Sequence, residues 1–247
     1  MKNKIILFIS LLLFLVIILM PAKLITSFIP EKSGLILAGL DGTVWSGNIE
    51  YLQVKGWSLN ELKFNTNILS LVTGKLGAEI SILKGDLKGD FSFSLKDDKN
   101  IELEDASIKT QLSHFEKYIP FKGIELNGNI ETRALGLKLV DSKPTYLSGV
   151  TLWNNGTVVF NGNSWQLGNF AIDWKTNEDG TIQGEILKEK NELDIQGSIN
   201  ITSQGLLDFS GSVSTSIDKS IFNAFLFFAD GKASNGRQAL KFKKKVW

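Results

Sequence analysis

The residues that could do chemistry are few and scattered. The 247-residue chain has one histidine, His114, and no cysteine. Without a thiol there is no disulfide, no cysteine metal site and no thiolate nucleophile, and the redox compartment stays open. No serine stands in G-x-S-x-G, and neither H-E-x-x-H nor the phosphate-cradling G-x-x-x-x-G-K-[ST] occurs. Carboxylates cluster at Asp97–Asp98 and at Glu102, Glu104 and Asp105, on alternating or turn-like sequence where a solvated face is the ordinary explanation. A carboxylate pair of the glycosidase kind would meet only in the fold, and no motif supports one. No D-x-[DN]-x-[DN]-G calcium loop is present. The 27 Lys and Arg against 26 Asp and Glu argue neither for nucleic acid nor for an anionic membrane surface. The sequence predicts no enzyme, no cofactor and no metal site.

What the chain repeats is a β pattern. From Gly39 it reads G-L-D-G-T-V-W-S-G-N, with Gly39, Gly42 and Gly47 around Thr43, Val44 and Trp45. Glycines so spaced mark positive φ or a close approach of two backbones. Trp57, Leu59, Leu62 and Phe64 follow in mostly alternating order, as a strand with one buried face requires, and Trp45 is placed to plug the bend before it. From Gly156 the chain reads G-T-V-V-F-N-G-N-S-W-Q-L-G-N-F-A-I-D-W. There Trp165, Leu167, Phe170 and Ile172 repeat the relative spacing of Trp57, Leu59, Leu62 and Phe64. This reads as an internal duplication of one β unit, with pseudo-repeats at about 34–112 and 144–215.

The elements that position these residues follow from the same patterning. Lys2 and Lys4 precede an apolar run from Ile5 to Met20 broken only by Ser10. A bilayer core takes about 20 apolar residues as a helix, and Ile5–Leu24 meets that. The rival reading is a cleaved signal peptide, but Leu19 and Met20, at or beside the position three before Ala22, are too large for a good cleavage site. Residues 1–24 are therefore predicted to be an uncleaved single-pass anchor with Lys2 and Lys4 cytoplasmic and the rest of the chain outside.

Residues 25–247 are predicted to be mainly β: an elongated, curved antiparallel sheet domain of short strands broken by Gly, Asn and Asp, with one or two short helices. Ile124–Thr132 and Leu135–Leu139 read as one hairpin. Ser113–Ile119, before Pro120, reads as a short helical patch. Asp218–Ala229 opens on a good cap and carries Ile221, Phe222, Phe225, Leu226 and Phe228 at helical spacing. It either covers an open end of the sheet or offers a patch to a partner. The tail L-K-F-K-K-K-V-W, from Leu240, reads as an edge strand kept from aggregating by its four lysines, against a contact with anionic lipid. Trp45, Trp57, Trp153, Trp165 and Trp174 sit in or beside strands, where they fill a core more often than they bind a ligand. The alternative is an aromatic-rich groove that holds an acyl chain.

Together these residues resemble a known family. An N-terminal span ending at Pro21–Ala22, G-L-D-G-T-V-W-S-G from Gly39, L-x-x-L-x-F from Leu59 to Phe64 and I-L-S-L-V-T-G-K-L-G-A from Ile68 are similar to the type II secretion system protein N family. The second G-T-V unit with Trp165 and Trp174, S-Q-G-L-L-D-F-S-G from Ser203 and G-x-x-x-x-G-R at Gly231–Arg237 extend the likeness over nearly the whole chain. The resemblance implies an inner-membrane component of the machine that exports folded proteins from the periplasm, with residues 25–247 periplasmic. The role it implies is in assembly or scaffolding, beside inner-membrane platform subunits and the secretin. No catalytic residue carries over; Gly39, Gly42, Thr43, Val44, Trp45, Gly47, Trp57 and Trp165 are its structural motif. The family is also similar in outline to periplasmic bridge-like proteins that move lipid along a β groove, which keeps a lipid-binding role as the alternative.

Overall fold

Alternating sequence becomes thirteen strands and three helices among the residues that the computed structural model describes, 2–28, 34–54, 56–97, 99–118, 123–160, 162–188, 191 and 193–247. They fall into two compact units, Met1–Lys96 and Asp97–Trp247. In the first, β1 (Ile36–Gly42), β2 (Ser46–Val54), β3 (Trp57–Asn67), β4 (Leu76–Gly85) and β5 (Leu87–Leu95) form an antiparallel meander, each strand paired with the next. In the second, β6 (Asn100–Gln111), β7 (Ile124–Val140), β8 (Lys143–Phe160), β9 (Asn163–Thr176), β10 (Ile182–Ile186), β11 (Gln196–Ile201), β12 (Leu206–Ser214) and β13 (Arg237–Lys245) do the same. The order holds through to the last strand.

Each unit has its own core. Leu59, Leu62 and Ile82 form the buried centre of the first, with Ile49, Leu52, Ile80, Leu87 and Phe91 packed against it. In the second, Leu167, Phe170, Leu193, Ile195, Val213 and Leu240 are buried together. Leu59 and Leu62 lie three apart on one strand, yet both are buried. Glu61 between them takes φ +53, and this left-handed residue resets the alternation. The neighbouring strands step at the same level: Ile49 and Leu52 on β2, and Ile82 and Gly85 on β4, pair with Leu62 and Leu59. Gly39 on β1, at φ +64, continues the crease. Leu167 and Phe170, also three apart and both buried, have Gly168 at φ +79 between them.

The break near Leu135 is a bulge, not the turn of a hairpin. Residues 124–140 are one strand, and the register shifts between Ala134 and Gly136. Leu135 is left 73% exposed, because an extra residue in a strand is pushed out of the ladder. The hairpin turn lies instead at Asp141 and Ser142, whose φ values of 50° and 63° suit a two-residue connection.

The helices also differ in part from expectation. Helix α1 spans Lys2–Ile18, 17 residues, with Leu19 in a turn and a 3-10 segment at Ala22–Phe28, where a span to Leu24 was expected. Pro21 has no N–H to continue the helix and biases Met20 away from helical backbone. Among the described residues no helix is long and apolar enough to cross a membrane. The side chains of Ile5–Leu13 and Leu15–Leu19 nevertheless stand exposed.

Helix α2 (Ile68–Val72) is a single turn that the Leu-rich stretch did not announce. Helix α3 (Lys219–Phe225) begins where the cap predicted, with the Asp218 carboxylate accepting from the backbone N–H groups of Ser220 and Ile221, and runs into a 3-10 turn at Leu226–Phe228. A 3-10 segment at Leu112–Tyr118 occupies the predicted helical patch, whose Ile119 and Pro120 lie outside the described residues.

Candidate functional site: a collar at the end of the N-terminal helix

The last carbonyls of a helix have no partner within it and need donors from elsewhere. The G-T-V-W-S-G loop between β1 and β2 supplies them. The Trp45 indole N–H donates to the Ile17 carbonyl at 2.9 Å, and the Val44 backbone N–H donates to the Met20 carbonyl at 2.9 Å. Pro21 makes an antiparallel bridge with Thr43, Ala22 is fully buried, and Lys23 pairs with Asp41 at 3.0 Å. The end of α1 is thus built into the edge of the first sheet as a short extra rung.

The residues of the G-T-V-W-S-G loop shape this collar. The Thr43 hydroxyl accepts from the N–H groups of Trp45 and Ser46, both at 3.3 Å, and the Thr43 N–H donates to the Ser46 carbonyl, closing a tight turn. Gly42, at φ +103, lies so near the Ser46 carbonyl and the Gly47 Cα that a side chain has no room. A Cβ at Gly47 would strike the Asp41 carbonyl and the Phe64 ring, which fills the space above it. Thr66 locks the turn from β3, with its N–H donating to the Trp45 carbonyl and its hydroxyl to the Val44 carbonyl at 3.0 Å. Thr66, Asp41 and Lys23 escape sequence reasoning, because a threonine or a charge near a strand end has no distinguishing pattern.

The predicted motif residues divide between the two units. Gly42, Thr43, Val44, Trp45 and Gly47 meet in the collar, whereas Gly39 sits earlier on β1, against the Glu50 side chain. Trp57 opens β3, opposite Val54. Trp45, placed by its sequence to plug the bend, is half-buried, and so is Val44. Trp165 belongs to the second unit, where its indole N–H donates to the Ser220 hydroxyl at 3.1 Å and ties β9 to α3.

A second polar centre lies in that unit. The Arg237 guanidinium donates to the Asp194 carboxylate and carbonyl, both at 2.6 Å, and to the Ser212 hydroxyl and carbonyl, at 2.9 and 3.1 Å. The hydrogen bond from Arg237 holds the Asp194 carboxyl below the usual carboxylate range. Arg237 ends the G-x-x-x-x-G-R stretch, the only sign of this hub in the sequence.

The candidate chemical groups do not converge. His114 lies 3.3 Å from the Thr110 hydroxyl, Glu102 pairs with Lys138 at 3.1 Å, and the Asp97 carboxylate caps its own turn at Lys99 and Asn100. Asp105 sits at a left-handed position, φ +49, in the ladder of β6. Asp98 lies outside the described residues. Among the described residues no three His, Asp or Glu side chains gather as a metal site would need. The arrangement can fasten a helix and stiffen the β strands of each unit.

The family model described as "Type II secretion system (T2SS), protein N" matches residues 33–237. A Vibrio cholerae protein named type II secretion system protein N is 33% identical over 79 residues, 32% of this chain and 31% of the relative. A protein of the same name from Aeromonas hydrophila is 33% identical over 93 residues, 36% of each. The aligned stretches therefore span about a third of the length of these curated relatives. No solved structure matches.

Proposed function

The chain belongs to the type II secretion system protein N family, and from that membership we propose that it is a non-enzymatic inner-membrane component of a type II secretion system, acting in assembly or scaffolding. The observation that carries this reading is the collar. A helix whose side chains at Ile5–Leu13 and Leu15–Ile18 stand exposed is joined to a sheet by backbone and indole hydrogen bonds, which suits an anchor that must transmit position rather than turn over a substrate. In this reading α1 and the segment after it hold the chain in the inner membrane by a single pass, with the N-terminus cytoplasmic and both β units periplasmic. The partners are inner-membrane platform subunits and the secretin, which would meet the sheet units on their periplasmic side.

Deletion of the gene in its native host tests the role. Exported proteins should accumulate in the periplasm and return to the medium on complementation. A Trp45→Ala chain present at normal level should restore less secretion than the wild type. Unchanged secretion of every exported protein after deletion would overturn the proposal. Topology is checked separately with Asn3→Cys and Glu178→Cys chains, of which only the second should react with a membrane-impermeant thiol reagent in intact spheroplasts.

A further inference from the structure

The collar loop receives two segments of the chain at once. The Trp45 indole holds the Ile17 carbonyl of α1, and the end of β3 reaches the same loop through Thr66, whose N–H donates to the Trp45 carbonyl at 2.6 Å. The chain turns into α2 two residues after Thr66, about 7 Å of extended backbone away. Helix α2 therefore projects from the end of the first sheet to which α1 is fastened.

That projection is apolar on its outside and closed on its inside. Ile68 and Leu71 are 52% and 41% exposed, and Leu76, where β4 begins, is 45% exposed. No acidic residue stands between positions 66 and 78. The Ser70 hydroxyl donates to the Asn67 carbonyl at 2.6 Å and accepts from the Gly77 N–H at 2.9 Å. The Ser70 carbonyl accepts from the N–H groups of Thr73 and Lys75, at 3.1 and 3.0 Å, and the Gly74 N–H donates to the Leu71 carbonyl at 3.0 Å. Backbone groups paired in this way carry little penalty on leaving water, so the turn can enter an apolar medium without opening. The β4–β5 turn at the other end of the same sheet carries Lys84, Asp86 and Lys88 instead.

We infer that α2 is a second membrane contact, a short apolar turn seated in the surface of the same bilayer that α1 enters. The inference rests on the reading of α1 as the anchor and adds an orientation to it. A single helix leaves the sheet it carries free to tilt, whereas a second contact at the collar end holds that end against the membrane. Two observations point to a lipid surface rather than a protein. Ile68, Leu71 and Leu76 stand out on a turn instead of lining a groove, and the exposed apolar side chains of α1 belong to the helix fastened at that same end. Apolar side chains lying in the interface reach about 5–10 Å into the boundary between headgroups and acyl chains, a depth that one layer of leucine and isoleucine can fill.

The chain has no cysteine, so single labels can be placed at will. Full-length Leu71→Cys, Phe8→Cys and Lys88→Cys chains, each carrying an NBD fluorophore, are reconstituted into vesicles of phosphatidylethanolamine and phosphatidylglycerol. The vesicles contain lipid with a nitroxide near the headgroup, lipid with a nitroxide at the acyl terminus, or neither. The Leu71→Cys label should emit to the blue of the Lys88→Cys label and be quenched roughly threefold more by the headgroup-proximal nitroxide, as a site in the interface requires. Ile68→Cys takes its place should Leu71→Cys fail to give the wild-type circular dichroism spectrum and melt. A quenched Phe8→Cys label beside a Leu71→Cys label as exposed to water as the Lys88→Cys one would overturn the inference and leave the anchor standing. A Phe8→Cys label insensitive to both nitroxides would overturn the anchor reading and the inference with it. A blue-shifted Leu71→Cys label untouched by nitroxide would mean that protein covers α2, and would overturn the inference as well.

Discussion

Trp45 is the residue on which the collar closes, because its indole N–H gives the Ile17 carbonyl a 2.9 Å hydrogen bond where the Met20 N–H reaches it only at 3.4 Å. Trp45→Phe keeps the ring and removes one hydrogen bond, so the first unit should lose about 1 kcal/mol, read as a lower melting temperature. Gly47→Ala should cost more, about 1–3 kcal/mol, because its Cβ meets the Asp41 carbonyl and the packed Phe64 ring. Arg237 makes the corresponding argument in the second unit. Arg237→Lys keeps the charge and loses the planar fork that reaches Asp194 and Ser212 together, so the melt should fall although the charge is conserved. Asp194 adds a pH signature. Its folded carboxyl titrates below the unfolded one, so the stability it contributes is present above about pH 4–5 and lost as pH falls through the unfolded value, near 3.9, toward the folded one. Asp194→Asn should flatten that acid limb in a urea-denaturation series from pH 6 to pH 3.

At the scale of the element, the creases explain strands whose apolar residues do not strictly alternate. Glu61 sits in left-handed backbone with an exposed ion pair to Lys84. Glu61→Gly should be neutral or slightly stabilising, since the backbone relief of about 1 kcal/mol offsets a surface pair worth about 0–1 kcal/mol. Glu61→Val should destabilise, because a β-branched residue resists positive φ. Denaturant midpoints of the two variants should fall on opposite sides of one another, Gly above Val. Leu135→Ser should change stability by no more than about 0.5 kcal/mol despite removing a leucine, since the bulge already turns that side chain to solvent.

These elements also show how much the sequence made legible. The spacing W-x-L-x-x-L announced a one-faced strand, and the Asp218 cap announced α3, because both signals are local. The bulge at Leu135 read as a turn because an extra residue and a chain reversal disturb alternation alike; only pairing with β6 and β8 separates them. The end of α1 was placed too late because hydropathy continues past Ile18 whereas Pro21 limits the backbone. The Arg237–Asp194 contact joins residues 43 apart through strand register, which no local pattern encodes. The collar's glycines were legible as special backbone; that they seat a helix end depended on Trp45 meeting Ile17, 28 residues earlier.

For the molecule as a whole, two units with separate cores imply separable stability. Residues 97–247, produced alone, should give a β-type circular dichroism spectrum and a cooperative melt, because Leu167, Phe170, Val213 and their neighbours all lie within that segment. A fragment that melts without a transition would show that its core needs the first unit.

Within each unit every strand pairs with its immediate neighbours in the chain, and this has a consequence for how the protein is made. A meander asks for no long-range search: each new strand finds its partner in the residues synthesised just before it, so loop-closure entropy stays small at every step. The chain can therefore fold in the order in which it emerges, with the growing edge exposed until the next strand covers it. Among the described strands β13 pairs with β12 alone, and its Lys241, Lys243 and Lys245 keep that growing edge charged.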